Sequence, residues 1–567
     1  MSPNQLPPKR LLFISIIFII IGFSIIARLT YLQLIQHDFY EKKAQRQFKK
    51  IINLPPNRGN IYTQDNYLLA TMKTSFSIFI VPKECQFKIN DINNISLLLD
   101  LPFETLSKKI NKPSTFVWLK KHISESLVEE IKKLNLKGLY FIKEKKRFYP
   151  QQELASFILG ATGVDNQGLS GIEYKYNQHL KGTAGKMIVE KDPRGHTLIT
   201  GKRVYQQAEQ GQQLLLTIDY FTQFITEKYL AKGMQDYQAK KGYAIVLECK
   251  TGRILSMASV PTFNPNQWQE YPNLMYKNPC VTDILEPGSV LKSITIAMAL
   301  EEKKVSKNEI LYVPRNLKLY KHTINEAHPP KKDDPYEKSI RDILVYSSNV
   351  GTALIAQRSD KDTLYQYFKK FGFGNKSDCG LPGESKGILR PVKEWSGIDL
   401  ETQSFGQGIG VTPLQLAAAI NVFANQGYYI QPSIIFQEKN IDFQSIKSPP
   451  IPFQKKIISS QTNKIIVSML TDVIEKGTAQ STKLKHHYVA GKTGTAQKAN
   501  PNNIGYDKNN YIASFVGFFP AKDPEVLIAI ILDSPQTSIY GGSTSAIIFK
   551  NIAQNLANHF HYPPDKY

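Results

Sequence analysis

The hydrophobic pattern divides the chain before any motif is considered. Leu11–Ala27 is an almost unbroken run of Leu, Ile and Phe between Lys9-Arg10 and Arg28. A run this long predicts a membrane-crossing helix, extended through Leu29–Ile35 with Arg28 snorkelling. The sequence around Ile25-Ile26-Ala27-Arg28 lacks a small-x-small cleavage site, so an uncleaved signal anchor is expected rather than a removed leader. Gln33–Ile51 then reads as a polar helix, ended by Pro55-Pro56. Asn60–Tyr62 and Leu68–Ala70 bracket a turn at Thr63–Asn66 and predict two short strands. From about Ile89 to Leu136 the pattern predicts short amphipathic helices alternating with polar loops. Segment 160–205 is rich in Gly and polar residues and includes Lys191-Asp192-Pro193-Arg194-Gly195.

The pattern changes near Gln212. Leu214–Thr217 predicts a strand, and Asp219 a cap for a helix over Tyr220–Lys232. Gly242–Glu248 and Arg253–Ser259 predict a hairpin. Tyr488–Thr495, Ile512–Phe519 and Val526–Leu532 predict three further strands. Helices are expected between these blocks, at Ser289–Glu302, Ile340–Arg358 and Thr412–Asn425. Strands at both ends with helices between them predict one α+β domain whose ends meet in a single sheet. Glu438–Gln454 is expected to be a surface loop and His559–Tyr567 a short tail.

Composition narrows the class. A chain of 567 residues exceeds one hydrophobic core. Its 42% hydrophobic and 21% charged content is ordinary for folded protein. The formal net charge of +23 favours anionic partners. The lysines are scattered and form no aromatic-interleaved basic stripe, so nucleic acid is not an expected partner. Cys85, Cys249, Cys280 and Cys379 form no C-x-x-C pair, which argues against a zinc or redox site; buried free thiols are expected.

The candidate chemistry begins at Glu286-Pro287-Gly288-Ser289-Val290-Leu291-Lys292. Pro and Gly end one segment and an apolar helix follows. Ser289 therefore falls at a helix N-terminus, with Lys292 one turn on along the same face. A serine hydroxyl needs a base, and a desolvated lysine can serve as one. Ser289 is the one serine with Lys at i+3. Ser347-Ser348-Asn349 offers a second hydroxyl and an amide. Lys492-Thr493-Gly494-Thr495 falls on a predicted strand. There Lys492 would attract a carboxylate, Thr493 and Thr495 would donate hydrogen bonds, and Gly494 would permit close backbone approach. Ser306-Lys307-Asn308 and Lys250-Thr251-Gly252 match the second and third patterns but fall in a charged loop and a hairpin turn.

The three motifs occur in the order S-x-x-K, S-x-N, K-T-G, the pattern of penicillin-binding proteins and serine β-lactamases. The chain resembles a class B penicillin-binding protein, a monofunctional peptidoglycan D,D-transpeptidase. Further support comes from Arg58–Tyr62, Gly168–Glu173, Thr251–Ala258, Phe405–Leu416 and Tyr540-Gly541-Gly542. Leu285-Glu286-Pro287-Gly288-Ser289 resembles the division-specific, septal branch; the elongation branch has a second Pro where Glu286 stands. Val290 replaces the septal branch's usual Thr.

The resemblance implies a β-lactamase-like C-terminal domain, with a five-stranded antiparallel sheet flanked by helices, behind an elongated, mainly β or mixed pedestal. The implied organisation is a cytoplasmic tail (1–10), a membrane anchor (11–35), a pedestal (36–210, with a head insertion at about 85–155), a transpeptidase domain (211–560) and a tail (561–567). Ser289, Lys292, Ser347 and Asn349 would be catalytic, and Lys492, Thr493, Gly494 and Thr495 would bind substrate. The backbone N–H groups of Ser289 and Thr495 would form the oxyanion hole. No metal or cofactor is required; adjacent His486 and His487 would point to opposite faces of a strand rather than form a ligand pair.

Implied partners are stem peptides ending in D-Ala-D-Ala, β-lactams as inhibitors, a polytopic lipid II glycosyltransferase and other division proteins. The bulk of the chain would lie outside a cytoplasmic membrane. This follows from the site of the reaction, since the charges flanking the span leave its orientation open. Other readings are a β-lactamase or carboxypeptidase that passes the acyl group to water, a non-catalytic scaffold that activates a glycosyltransferase, and a β-lactam sensor.

Overall fold

The computed structural model describes residues 8–190, 203–320, 322–327, 336–440, 444–447, 453–499 and 505–566. They divide into two compact units. The Lys191–Gly195 stretch lies outside the described residues.

The smaller unit comprises the chain up to Pro56 together with 182–210. Pro8–Thr30 is one α-helix, followed by a π-helical turn at Tyr31–Ile35 and a second helix at His37–Phe48. The predicted polar helix therefore starts later than its sequence suggests, after the π-turn has used the last apolar residues. Leu11–Ile35 is apolar and unburied throughout, and it is the one described segment both long and apolar enough to cross a membrane. At about 1.5 Å per residue, the 23 residues of the first helix reach roughly 35 Å. Lys49–Leu54, Gly185–Glu190 and Arg203–Gln206 form a three-stranded antiparallel sheet with the middle segment at its centre.

The larger unit, 57–181 with 211–567, holds both remaining cores. Ile61–Tyr62 pairs antiparallel with the long strand Leu68–Ile80, as the turn at Thr63–Asn66 predicts. Between Ile89 and Lys133 the expected helices form at Ile89–Leu99, Phe103–Ile110 and Glu125–Lys133. Val117–Ile123, inside the stretch read as helices and loops, and Leu139–Phe148, beyond it, are strands that pair with Leu68–Ile80 and close a small core around Ile78, Ile95 and Leu119.

This unit is held together by a buried ion cluster. Glu173 is fully buried and accepts 2.6 Å bonds from Arg58 Nε and Arg147 Nε. Burial alone would raise its carboxyl pKa, but the two guanidiniums together outweigh burial and hold it below the ordinary value.

The chain then builds one five-stranded antiparallel sheet. Asp219 caps α1 (Tyr220–Tyr237), accepting from Thr222 N as predicted. β1 (Lys241–Glu248) and β2 (Ile254–Val260) form the predicted hairpin. The helices before the last strands include α2 (Lys292–Glu301), α3 (Asn349–Ala356), α4 (Pro413–Ala424) and α5 (Ser460–Glu475). β3 (Ala490–Ala499), β4 (Tyr506–Phe519), β5 (Val526–Asp533) and α6 (Ser545–Phe560) complete the domain. The sheet order is β2-β1-β5-β4-β3, so the last strand made lies between the two sequence-distant blocks. β5 is buried at every position. That explains its unbroken apolar run, because α1 and α6 cover one face of the sheet and α4 packs on the other.

Three expectations are corrected. Ile340–Arg358 is two helices, Ile340–Val345 and α3, broken at Tyr346–Ser348 where Ser347 is left-handed with φ 60°. Glu438–Gln454 is not a plain surface loop: Ile435–Lys439 pairs with Gln213–Leu216 and with Ser445–Lys447, extending the sheet of Leu68–Ile80. The C-terminal tail is shorter than His559–Tyr567, since α6 runs to Phe560, and it is docked, with Asp565 accepting from Tyr488 N at 2.6 Å. All four cysteines are free and three are buried, while Cys85 is half-buried.

Candidate active site

The three motifs converge on one cleft of about 600 Å³. Ser289 sits in a short 3-10 turn, Gly288–Leu291, that leads directly into α2. The turn requires Gly288 in the left-handed region (φ 55°), where its N–H donates to Gly406 O at 3.1 Å. Ser289 is mostly buried but lines the cleft.

Lys292 is the first residue of α2 and is fully buried. Its Nζ is 2.5 Å from Ser347 O, 3.1 Å from Ser347 Oγ and 2.7 Å from Asn349 Oδ1. The break before α3 makes this possible, because the left-handed Ser347 turns its carbonyl and hydroxyl to the same amine. Burial lowers the Lys292 pKa to about 7, with the Glu326 carboxylate opposing the shift. Near neutral pH much of this amine is therefore free to accept a proton.

Lys492 lies on β3 and is equally buried. Its Nζ donates to Ser347 Oγ at 2.9 Å and to Thr493 O at 3.2 Å. Burial, with the neighbouring Lys292 charge added, holds its pKa well below the ordinary lysine value. One hydroxyl thus bridges two desolvated amines: it can donate to a neutral Lys292 while accepting from Lys492. Lys492 turns inward to Ser347, whereas Thr493 and Thr495 line the cleft.

Gly494 carries no side chain because none fits. A Cβ there would stand 2.2 Å from Ser514 Oγ on β4 and 3.0 Å from Pro287 O, so the bare backbone lets β3 lie against the Ser289 turn.

The opposite wall is a hairpin, Asn316–Leu319 with His322–Asn325, followed by Glu326. Sequence reading gave this wall no role. Glu326 carries no motif, and its partners Ser348 and Asn349 lie more than twenty residues away. The decoy motifs stay apart from the cleft. Lys250–Gly252 forms the β1–β2 turn, with Gly252 N bonded to Glu248 O, and Ser306 N bonds Glu309 in an exposed turn. His487 is buried with Nε2 3.0 Å from Tyr562 O and His486 is exposed, but both precede β3 rather than lying on a strand as expected.

Residues 242–554 match the model of the penicillin binding protein transpeptidase domain, and residues 53–216 that of the penicillin-binding protein dimerisation domain. Stage V sporulation protein D of Bacillus subtilis is 32% identical over 565 residues, covering 98% of this chain and 87% of that protein. Peptidoglycan D,D-transpeptidase FtsI of Buchnera aphidicola is 34% identical over 568 residues, covering 98% and 96%. Among solved structures, penicillin binding protein 3 from Mycobacterium tuberculosis, complexed with aztreonam, superposes with a TM-score of 0.71 at 26% identity, covering 90% of this chain and 98% of that one.

Proposed function

We propose, given that the chain belongs to the class B penicillin-binding proteins, that it is a peptidoglycan D,D-transpeptidase acylated at Ser289. The observation that carries this reading is the buried Lys292–Ser347–Lys492 bridge one turn from Ser289, beside β3, an edge strand of the five-stranded sheet.

In the proposed reaction Ser289 Oγ attacks the carbonyl between the two terminal D-alanines of a stem peptide. Its proton passes to neutral Lys292. Backbone N–H groups of Ser289 and Thr495 hold the oxyanion, and the hydroxyls of Thr493 and Thr495 hold the terminal carboxylate. The tetrahedral centre collapses, the C–N bond breaks, and D-alanine leaves with the proton that Lys292 returns through Ser347. An amine of a neighbouring stem then attacks the acyl-enzyme. A new amide forms and Ser289 regains its proton. β-Lactams present the same reactive carbonyl and stop at the acyl stage.

We assign the chain to septal synthesis rather than elongation. Two of the relatives above support this, one named as a sporulation protein and one as FtsI, together with Glu286 before the serine motif. In this structure Glu286 accepts from Gly408 N at 2.8 Å and from Tyr506 OH at 3.2 Å, tying the serine turn to the Phe405–Gly410 loop. The proposed organisation is an anchor over 11–35, a pedestal over 36–210 and a transpeptidase domain over 211–560. The latter two would lie outside the cytoplasmic membrane beside a polytopic glycosyltransferase.

Covalent labelling of the full chain by a fluorescent penicillin, beside its Ser289→Ala variant, tests the reading. Labelling of the parent that vanishes in the variant is expected. A folded parent that takes no label would favour a non-catalytic scaffold, and label that survives in the variant would assign the chemistry to another serine.

A further inference from the structure

The wall facing Ser289 ends in a carboxylate that the three motifs do not include. Glu326 follows the strand His322–Asn325, whose Ile324 is buried in the main core with Leu317 packed opposite it. The wall is thus anchored rather than draped over the cleft. From it Glu326 Oε1 accepts from Ser348 Oγ at 2.5 Å, and Oε2 accepts from Asn349 N at 2.6 Å. The carbonyl of the preceding Asn325 accepts from Asn349 Nδ2 at 2.8 Å. Three bonds from two consecutive residues therefore seize the start of α3.

Their geometry has a chemical result. With Asn349 Nδ2 taken by Asn325 O, the amide cannot flip, and Oδ1 is left facing Lys292 Nζ at 2.7 Å. Ser348 is held at both ends, since its Oγ also accepts from Gly351 N. That fixes the peptide between Ser347 and Ser348 and keeps the left-handed Ser347 carbonyl on the same amine.

We propose that Glu326 is a positioning residue of the active site: its carboxylate locks the Ser347–Asn349 turn onto Lys292 and supplies the acidic counter-charge of that amine. Among the described residues, two charged groups act on Lys292, Glu326 across the turn and Lys492 on β3, and its hydrogen-bond partners are the neutral Ser347 and Asn349. Burial lowers the Lys292 pKa and Glu326 opposes that shift, so the wall sets how far the amine is driven toward its neutral form. A bond from a carboxylate to a backbone N–H is among the stronger hydrogen bonds, so its loss loosens the turn appreciably.

The inference rests on the acyl-enzyme reading above, and the test separates the two. The second-order rate of acylation by a fluorescent penicillin is measured from acid to alkaline pH for the full chain and for Glu326→Gln and Glu326→Asp, with Tm recorded for each. In the parent the rate should rise with pH through about 7 as Lys292 loses its proton. Glu326→Gln should slow acylation about ten- to hundredfold. It should also move the acid limb to lower pH by about half a unit or more, because removing the anion takes away a charge that favours the ammonium form against burial. Glu326→Asp, which keeps the charge, should restore the position of the limb even where the rate stays low.

A limb that does not move in Glu326→Gln, or that moves equally in Glu326→Asp, would reduce Glu326 to a purely structural contact and overturn the proposal. If the Gln variant does not fold, the limb of the Asp variant decides alone: at the parental pH it supports the proposal, displaced downward it overturns it. A parent that is not acylated at all would overturn the functional reading, and this inference with it.

Discussion

At the scale of single residues the cleft is built from groups held away from water. Ser289, Lys292, Ser347, Asn349, Lys492 and Gly494 were legible in the sequence because three short patterns occur in one order. Two of their details were not. Lys492 reads as the cation that meets a substrate carboxylate, yet its amine is turned inward to Ser347. Glu326 gave no signal, since an acid in a polar segment is ordinarily a solvated charge. The bare strand at Gly494 gives a direct test. Gly494→Ala would drive its Cβ into Ser514 Oγ and toward Pro287 O, forcing β3 from the Ser289 turn. Acylation should fall by more than tenfold while Tm drops by only a few degrees, an overpacking cost of about 1–3 kcal/mol. Measuring both on one preparation distinguishes displacement of the strand from general unfolding.

At the scale of elements, sequence patterning succeeded where one face is apolar and failed where tertiary partners decide. The β1–β2 hairpin, the capped start of α1 and the last three strands follow alternation or unbroken apolar runs. Val117–Ile123 and Leu139–Phe148 did not read as strands, because each is an apolar block followed by a block of basic and charged residues rather than an alternation, and both gain their order from pairing with Leu68–Ile80. The break within Ile340–Arg358 was hidden for a different reason. Tyr346-Ser347-Ser348 contains neither Gly nor Pro, and the left-handed Ser347 is held by Lys292, Lys492 and the wall opposite rather than by local preference. α4 shows the reverse case, with its start fully encoded: Thr412 accepts from Gln415 N, Gln415 Oε1 accepts from Thr412 N, and Pro413 fills the first turn. Thr412→Ala should cost about 1–2 kcal/mol. Thermal unfolding should register this as a fall of a few degrees, with penicillin acylation at low temperature unchanged.

At the scale of the whole molecule, the larger unit depends on a charge buried with its partners. Arg58, Arg147 and Glu173 come from distant stretches of chain and meet at a carboxylate with no solvent exposure. Their sequence signal was a resemblance in Arg58–Tyr62 and Gly168–Glu173; the joining Arg147 had none. Removing the acid strands two guanidiniums, so Glu173→Gln should destabilise the unit by about 3–5 kcal/mol. The acid dependence follows from the same arrangement. The folded carboxyl titrates below its unfolded value of about 4.3, so its contribution is complete above that value and is lost as pH falls through the folded pKa. Urea unfolding across the acid range should show that slope in the parent and a flatter one in the variant.

The strand order has a consequence for biosynthesis. β5 is the final strand to leave the ribosome, yet it lies between β1 and β4. Until it arrives, the β1–β2 hairpin presents an unpaired edge, and the β3–β4 hairpin that carries Lys492 has no scaffold joining it to the hairpin made more than two hundred residues earlier. Ser289 is thus synthesised long before Lys492 can be held beside it, and a chain interrupted upstream of β5 lacks the strand that joins the two hairpins. Such long-range closure is slow by its topology. Until β5 has emerged, the hairpin edges on either side of it stay open to pairing with neighbouring chains.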